Sequence, residues 1–263
     1  MTELLHILAS LVYAAVAVDG LLSRRRGIAP SSVGWLLAIG VTLHGVGFVA
    51  LHAHEPLIPL DSFPAALSLI GWLVPTSYLY ALRIAHVRGV GHWVATAAAL
   101  VTATAAIGLL LHDPLAPAAA GGGRWSHAHV LLSTLGFSLL ALTSLAGLAY
   151  LTKKRALKRN QTARFGLPSL ESLDRMEHVT LGLGFSLLSL GVLTGFFWGQ
   201  SRGISPWTHH SSWLIIAWAI YLIPVGMRVL RHQHGDRPAR IVVIGFGFLA
   251  FSYIGIRLLG MDT

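Results

Sequence analysis

Long apolar runs alternate with short polar breaks along the whole chain. The runs stay hydrophobic for about 20 residues, the length a helix needs to cross roughly 30 Å of hydrocarbon. They fall near residues 4–22, 33–52, 65–85, 91–111, 127–151, 178–198, 211–231 and 239–259. Barrel strands would alternate in polarity over about ten residues, so the pattern predicts helices, whose backbone groups satisfy one another internally. The expected fold is all-α: a polytopic transmembrane helix bundle of about eight helices, forming a single integral membrane domain over residues 1–263 with no room for a sizeable soluble domain. In MTELLHILASLVYAAVAVDGLLSRRR the basic cluster follows the apolar run, the reverse of a cleavable signal peptide, so this segment reads as the first membrane helix.

Charge tests this count independently. All but three of the 19 Lys and Arg residues lie in the segments after helices 1, 3, 5 and 7, and only Arg124, Arg202 and Arg257 fall on the other side. Eight helices make the two sets alternate, and the positive-inside rule then places both termini on the non-cytoplasmic side. The longest cytoplasmic segment runs from about Thr152 to Glu177, and its KKRALKRNQTAR stretch is suited to anionic lipid head groups. No aromatic stacking platform accompanies these charges, so the net charge of +9 is not read as a nucleic-acid signal.

Composition agrees with a lipid environment: 54% of residues are hydrophobic and 11% charged, where a soluble domain carries about 25% charged residues. The chain has no cysteine, which excludes disulfides, thiolate metal sites, covalent haem attachment through CxxCH and cysteine catalysis.

Candidate chemistry rests on the 14 histidines. On or near the non-cytoplasmic side lie His6, His52, His54, His112, His127, His129, His209 and His210, with His44 inside helix 2. A neutral imidazole is an effective axial ligand for haem iron, and two from different helices could clamp it from opposite faces. A porphyrin also needs flat apolar walls, which Trp125, Trp198, Trp207, Trp213 and Trp218 could supply. The competing reading is that these indoles are interface anchors and these imidazoles are caps or tolerated polar groups.

His129, which begins an apolar helix in RWSHAHVLLSTLGF, is the leading ligand candidate. His127, two positions earlier, points elsewhere on a helix. His44 lies in an apolar helix, where an ionisable group usually faces the bundle interior, and His52 follows eight residues later on a similar face. His178 opens helix 6 from the cytoplasmic side, with a haem-entry role or helix capping as its two readings, and Ser169, Ser172 and Asp174 compete as N-caps. HExxH and nucleophile motifs are absent, and carboxylates near the non-cytoplasmic histidines are limited to Glu55, Asp61 and Asp113.

Three strings carry a family resemblance: PSLESLDRMEHVTLGLGFSLLSLGVLTGFFWGQ, SPWTHHSSWLIIAWAIYLI and GDRPARIVVIGFGFLAFSYIGI, joined by WSHAHVLLSTLGF and more weakly by DSFPAALSLIGW. They resemble the cytochrome c assembly membrane proteins, the CcsA and CcmC haem-handling superfamily, most closely its HemX-like branch, with the strongest similarity over residues 125–257. The resemblance implies delivery of non-covalent haem b to the apocytochrome c attachment machinery, with other cytochrome c assembly proteins as partners and a bacterial inner membrane as the location. By position Trp207, Trp213 and Trp218 match family tryptophans, and His129 matches the first external histidine. The family's Trp-Asp-Pro-Lys-Glu is replaced by Trp207, Thr208, His209, His210 and Ser211, and Pro224 to Met227 stand near its other expected histidine. His209 or His210 is therefore the expected second imidazole, opposite His129. The protein would receive or translocate haem and present it outside without itself breaking a covalent bond. A non-catalytic accessory or regulatory protein of tetrapyrrole metabolism or cytochrome assembly is the first alternative. A small-molecule permease with helices broken at Pro75 and Pro224 is the second.

Overall fold

A helix in lipid is fixed less by propensity than by the need to pair every backbone polar group, so each apolar run folds as one uninterrupted element. The structure is a computed structural model describing residues 2–26, 33–53, 60, 62–85, 87, 89–111, 124–160, 166–203 and 209–256. Its helices are α1 (Thr2–Arg26), α2 (Val33–Ala53), α3 (Phe63–Ala85), α4 (Gly91–Leu110), α5 (Arg124–Lys158), α6 (Leu170–Ser201), α7 (His209–Val229) and α8 (Asp236–Ala250), the last continuing as a π-helical turn, Phe251–Gly255. All eight are long and apolar enough to cross a membrane. The protein is an integral membrane protein of all-α, polytopic architecture.

Two helices outrun their apolar segments. α5 is 35 residues long and α6 is 32, so much of the stretch expected to be a cytoplasmic connection is helical. Lys, Arg, Ala and Leu in KKRALK are good helix formers that extend α5 past its apolar part. At the start of α6, Leu173, Met176 and Glu177 are buried on one face. Asp174 is not a cap: its carboxylate meets Arg228, His234 and the Gly235 amide. Pro75 and Pro224 both sit inside continuous helices.

The chain divides into two compact units: Met1–Gly122 with Ala156–Ser169, and Gly123–Arg155 with Leu170–Thr263. In the first, α1 packs on α4 and α2, and α3 packs on α4 and α2. Tyr13, Leu37, Leu67, Ile70 and Ala95 fill its centre. A polar array also crosses that centre. His6 Nδ1 lies 2.8 Å from the Thr2 carbonyl oxygen, His6 Nε2 lies 2.7 Å from Ser68 Oγ, and His44 Nε2 lies 3.1 Å from the same oxygen. A carbonyl only accepts, so Nδ1 of His6 carries the hydrogen and its Nε2 accepts from the Ser68 hydroxyl. The Ser68 oxygen then accepts from His44 Nε2–H, and in the neutral ring His44 Nδ1 is left bare.

In the second unit, α5 to α8 pack through aromatic contacts: Phe137 with Phe246 and Tyr253, Phe185 stacked on Trp218, and Trp213 with Phe248. Exposed Ile216, Leu222, Ile223, Ile244 and Phe251 give these helices the apolar exterior that lipid tolerates. Near the start of α6, buried Arg228 on α7 holds Glu177 Oε1 and Asp174 Oδ1, each at 2.8 Å. His234 Nδ1 donates to Asp174 Oδ2 at 2.8 Å, and Lys154 pairs with Asp236. One guanidinium thus ties α6 to α7, and the segment after α7 joins it through Asp174.

Removing one member of a buried ion pair strands the other. Arg228→Ala should therefore cost about 3–5 kcal/mol of stability in thermal unfolding of the detergent-solubilised protein, and Arg228→Met combined with Glu177→Met should recover much of that loss. Ser68→Ala leaves both His6 and His44 short of a partner and should cost about 1–3 kcal/mol in the same measurement. A Ser68→Ala protein as stable as the parent would contradict the array.

Candidate functional site

His129 lies one turn into α5, where the helix is crossed closely by α6. Glycine makes that approach possible. A Cβ at Gly195 would sit 2.6 Å from His129 Nδ1 and 2.7 Å from Cε1, and one at Gly191 would come within 3.0 Å of the Ser133 backbone. Further along the seam a Cβ at Gly136 would fall 2.6 Å from the Leu188 nitrogen. Such close backbone approach is how small residues bind membrane helices together.

The seam also fixes the chemistry of the imidazole. His129 Nδ1 lies 2.8 Å from the Gly191 carbonyl oxygen, which can only accept, so Nδ1 carries the ring hydrogen. Ser133 Oγ lies 3.4 Å from the same nitrogen. Neutral His129 is thereby held in the tautomer whose Nε2 has a bare lone pair, the form required of an imidazole ligand. No described residue hydrogen-bonds that Nε2. The ring stacks on Trp198 at 5.8 Å between centroids and 27° between planes. Beside it Trp125 packs against Phe197 at 5.3 Å, and Phe197 meets Phe196 edge-on at 6.0 Å. The guanidinium of Arg202 lies 5.5 Å from the centroid of the Trp198 ring. The buried Trp198 Nε1 has no hydrogen-bond partner among the described residues.

The other expected residues separate into groups. Trp125 joins the His129 end, half exposed, and His127 on the same turn is exposed. Trp213 packs on Phe248, between α7 and α8. Trp218 is committed to helix packing: its Nε1–H donates to Ser189 Oγ at 2.9 Å and its ring stacks on Phe185. His178 is exposed at the opposite end of α6. His209 and His210 open α7, but their side chains, like all of Trp207, lie outside the described residues.

His44 and His52 belong to the first unit. His44 is fully buried, with Nε2 taken by Ser68. His52 resembles His129 in one respect: Nδ1 donates to a backbone carbonyl, that of Phe48, at 2.9 Å, and buried Nε2 has no partner among the described residues. Its ring packs on Phe48 at 4.5 Å. No group of three or more His, Asp or Glu suited to hold a metal ion occurs among the described residues. Ser133, Gly191, Gly195, Phe196, Phe197 and Arg202 also belong to the His129 end, and sequence reasoning did not single them out as site residues. Positions 191, 195 and 198 follow the i, i+4, i+7 spacing of one helix face, which was the available signal.

A match to the family described as cytochrome C assembly protein spans residues 62–262. The chain is 30% identical over 166 residues to the cytochrome c biogenesis protein CcsA of Guillardia theta, covering 56% of this chain and 54% of that one, so it spans about half the length of that relative. It is 25% identical to the CcsA of Porphyra purpurea, covering 77% of this chain and 76% of the relative. It is 23% identical to that of Synechococcus elongatus, covering 94% and 92%. The family match takes in α3 through α8, including every element that builds the His129 end, and the chain belongs to the cytochrome c assembly protein family.

Proposed function

We propose that the protein handles haem in cytochrome c biogenesis, receiving or translocating non-covalent haem b and presenting it on the non-cytoplasmic side of a bacterial inner membrane. The observation that carries this reading is the His129 Nδ1–Gly191 bond, which supports a neutral imidazole with Nε2 bare beside a stacked indole. The residues present suit the cargo: one nitrogen donor, aromatic surface at Trp125, Phe197 and Trp198, and no competing carboxylate nearby in the described sequence of α5 or in the second half of α6. His129 would supply one axial ligand and His209 or His210 the other, with Trp207 and Trp213 shielding the outer face.

The charge distribution supports an orientation. All but three basic residues fall on one set of connections, which supports cytoplasmic exposure of that set and non-cytoplasmic exposure of His129 and both termini. Haem bound there would be positioned for apocytochrome c and other assembly proteins. Its ligation change would do the work, with no covalent bond broken by this chain. The replaced Trp-Asp motif favours a member of the smaller HemX-like kind. It also favours, as a second reading, an accessory protein without haem. The permease reading loses its structural support, because neither Pro75 nor Pro224 interrupts its helix.

Purified in detergent, the protein should bind added haem with a Soret band of histidine-ligated iron. His129→Ala should weaken binding at least about tenfold, the loss of one good ligand or charge-assisted contact being of this order. Gly195→Ala should shift the Soret band or weaken binding as well, because its methyl group displaces the ring it faces. A colourless protein that fails to take up haem, indifferent to His129→Ala, would remove this reading and leave the accessory role.

A further inference from the structure

The haem reading uses one end of α6 and leaves the other unexplained. Glu177 precedes the apolar run of that helix, yet its side chain is fully buried in the protein. Its Oε1 accepts from Arg228 at 2.8 Å, but its Oε2, buried as well, has no hydrogen-bond partner among the described residues. The charges around it do not balance either. Buried Arg228 is shared by Glu177 and Asp174, so two carboxylates face one guanidinium. Arg228 and Asp174 are the charged groups whose fields reach Glu177. His234 meets Asp174 instead, and its side chain is 65% exposed to water, which screens whatever charge it carries. Lys154 and Arg240 both pair with Asp236, between α5 and α8 and within the first turn of α8.

One proton resolves both features. An ionised carboxylate only accepts, and a buried charge without its full set of partners is costly. Protonation at Oε2 brings Glu177, Asp174 and Arg228 to zero net charge while Oε1 stays on Arg228. It also turns the bare oxygen into a donor. The backbone supplies an acceptor. A Cβ at Gly147 would stand 3.5 Å from Glu177 Oε2 and 3.2 Å from the Ala239 carbonyl oxygen, so both oxygens border the gap that this glycine leaves beside α5. A carbonyl oxygen keeps a second lone pair even inside a helix.

We propose that Glu177 is a proton-binding residue whose protonated Oε2 closes on the Ala239 carbonyl across the Gly147 gap, fastening α6 to α8. In the ionised state that fastening is released and the Arg228 bond to α7 remains. The proton comes from solvent water: one O–H bond forms, nothing is oxidised, and the cluster passes from one net negative charge to none. The clasp is separate from the haem reading, since every group in it lies toward the end of α6 away from His129.

Infrared spectra of the full chain in detergent, followed over a pH series, provide the test. A carbonyl band of a protonated carboxylic acid should persist above the ordinary carboxylate range, where exposed side chains are ionised, and vanish in a one-proton titration at higher pH. Isotope labelling of the glutamate carboxyls should shift that band without any substitution, Glu177 being the fully buried glutamate among the described residues. Glu177→Gln should remove it. Asp174→Asn leaves one carboxylate against one guanidinium, so it should lower the titration midpoint by at least about one pH unit, a roughly tenfold loss of proton affinity. Stability should follow with a definite sign: a native state that holds the proton is favoured at low pH and loses that advantage as pH rises through the titration. The parent's thermal midpoint should therefore fall by several degrees over that interval. Glu177→Gln, whose amide both accepts from Arg228 and donates toward Ala239, should hold its midpoint to within about 2 °C. Absence of a glutamate acid band above the ordinary carboxylate range overturns proton binding. A titrating band joined to the same pH dependence of stability in the parent and in Glu177→Gln overturns the clasp.

Discussion

One hydrogen bond sets the character of this protein's candidate site: the donation from His129 Nδ1 to the Gly191 carbonyl across the α5–α6 seam. A free imidazole exchanges its proton between two nitrogens and turns about two bonds. Here a backbone acceptor chooses the tautomer, and two glycines leave only one place for the ring. The bond depends on close helix approach, and the approach depends on the absence of side chains at Gly191 and Gly195. A structural requirement of membrane packing and a chemical requirement of ligand readiness are thus met by the same residues.

The two units handle buried polarity by different means. The first carries a neutral chain of ring nitrogens and a hydroxyl, from Thr2 through His6 and Ser68 to His44, without any formal charge. The second concentrates its charge near the start of α6, where Arg228 is held by Asp174 and Glu177. Low dielectric makes either solution costly when incomplete. The described carboxylates of the second unit, Glu171, Asp174, Glu177 and Asp236, stand near the starts of α6 and α8.

Much of the fold is legible in the sequence because lipid imposes a length rule, and each of the eight runs meets it. The rule is silent once the chain leaves the hydrocarbon. It gave no warning that α5 continues through Lys158 or that α6 begins at Leu170, since those extensions depend on helix propensity and on burial of Leu173 and Met176. The site was legible in part. His129 stands out by its place at the head of an apolar helix, and its ring lies against the backbone of α6. Five tryptophans could not be ranked from sequence, because composition does not reveal helix rotation. Trp198 stacks on His129, whereas Trp218 is spent on Ser189 and Phe185.

The glycine seam also bears on movement. A ring wedged against a neighbouring backbone has no freedom to swing, so His129 is a fixed post and not a moving arm. Any group that came to its Nε2 would have to adjust to a stationary nitrogen, and its arrival or departure would need motion elsewhere than in this side chain.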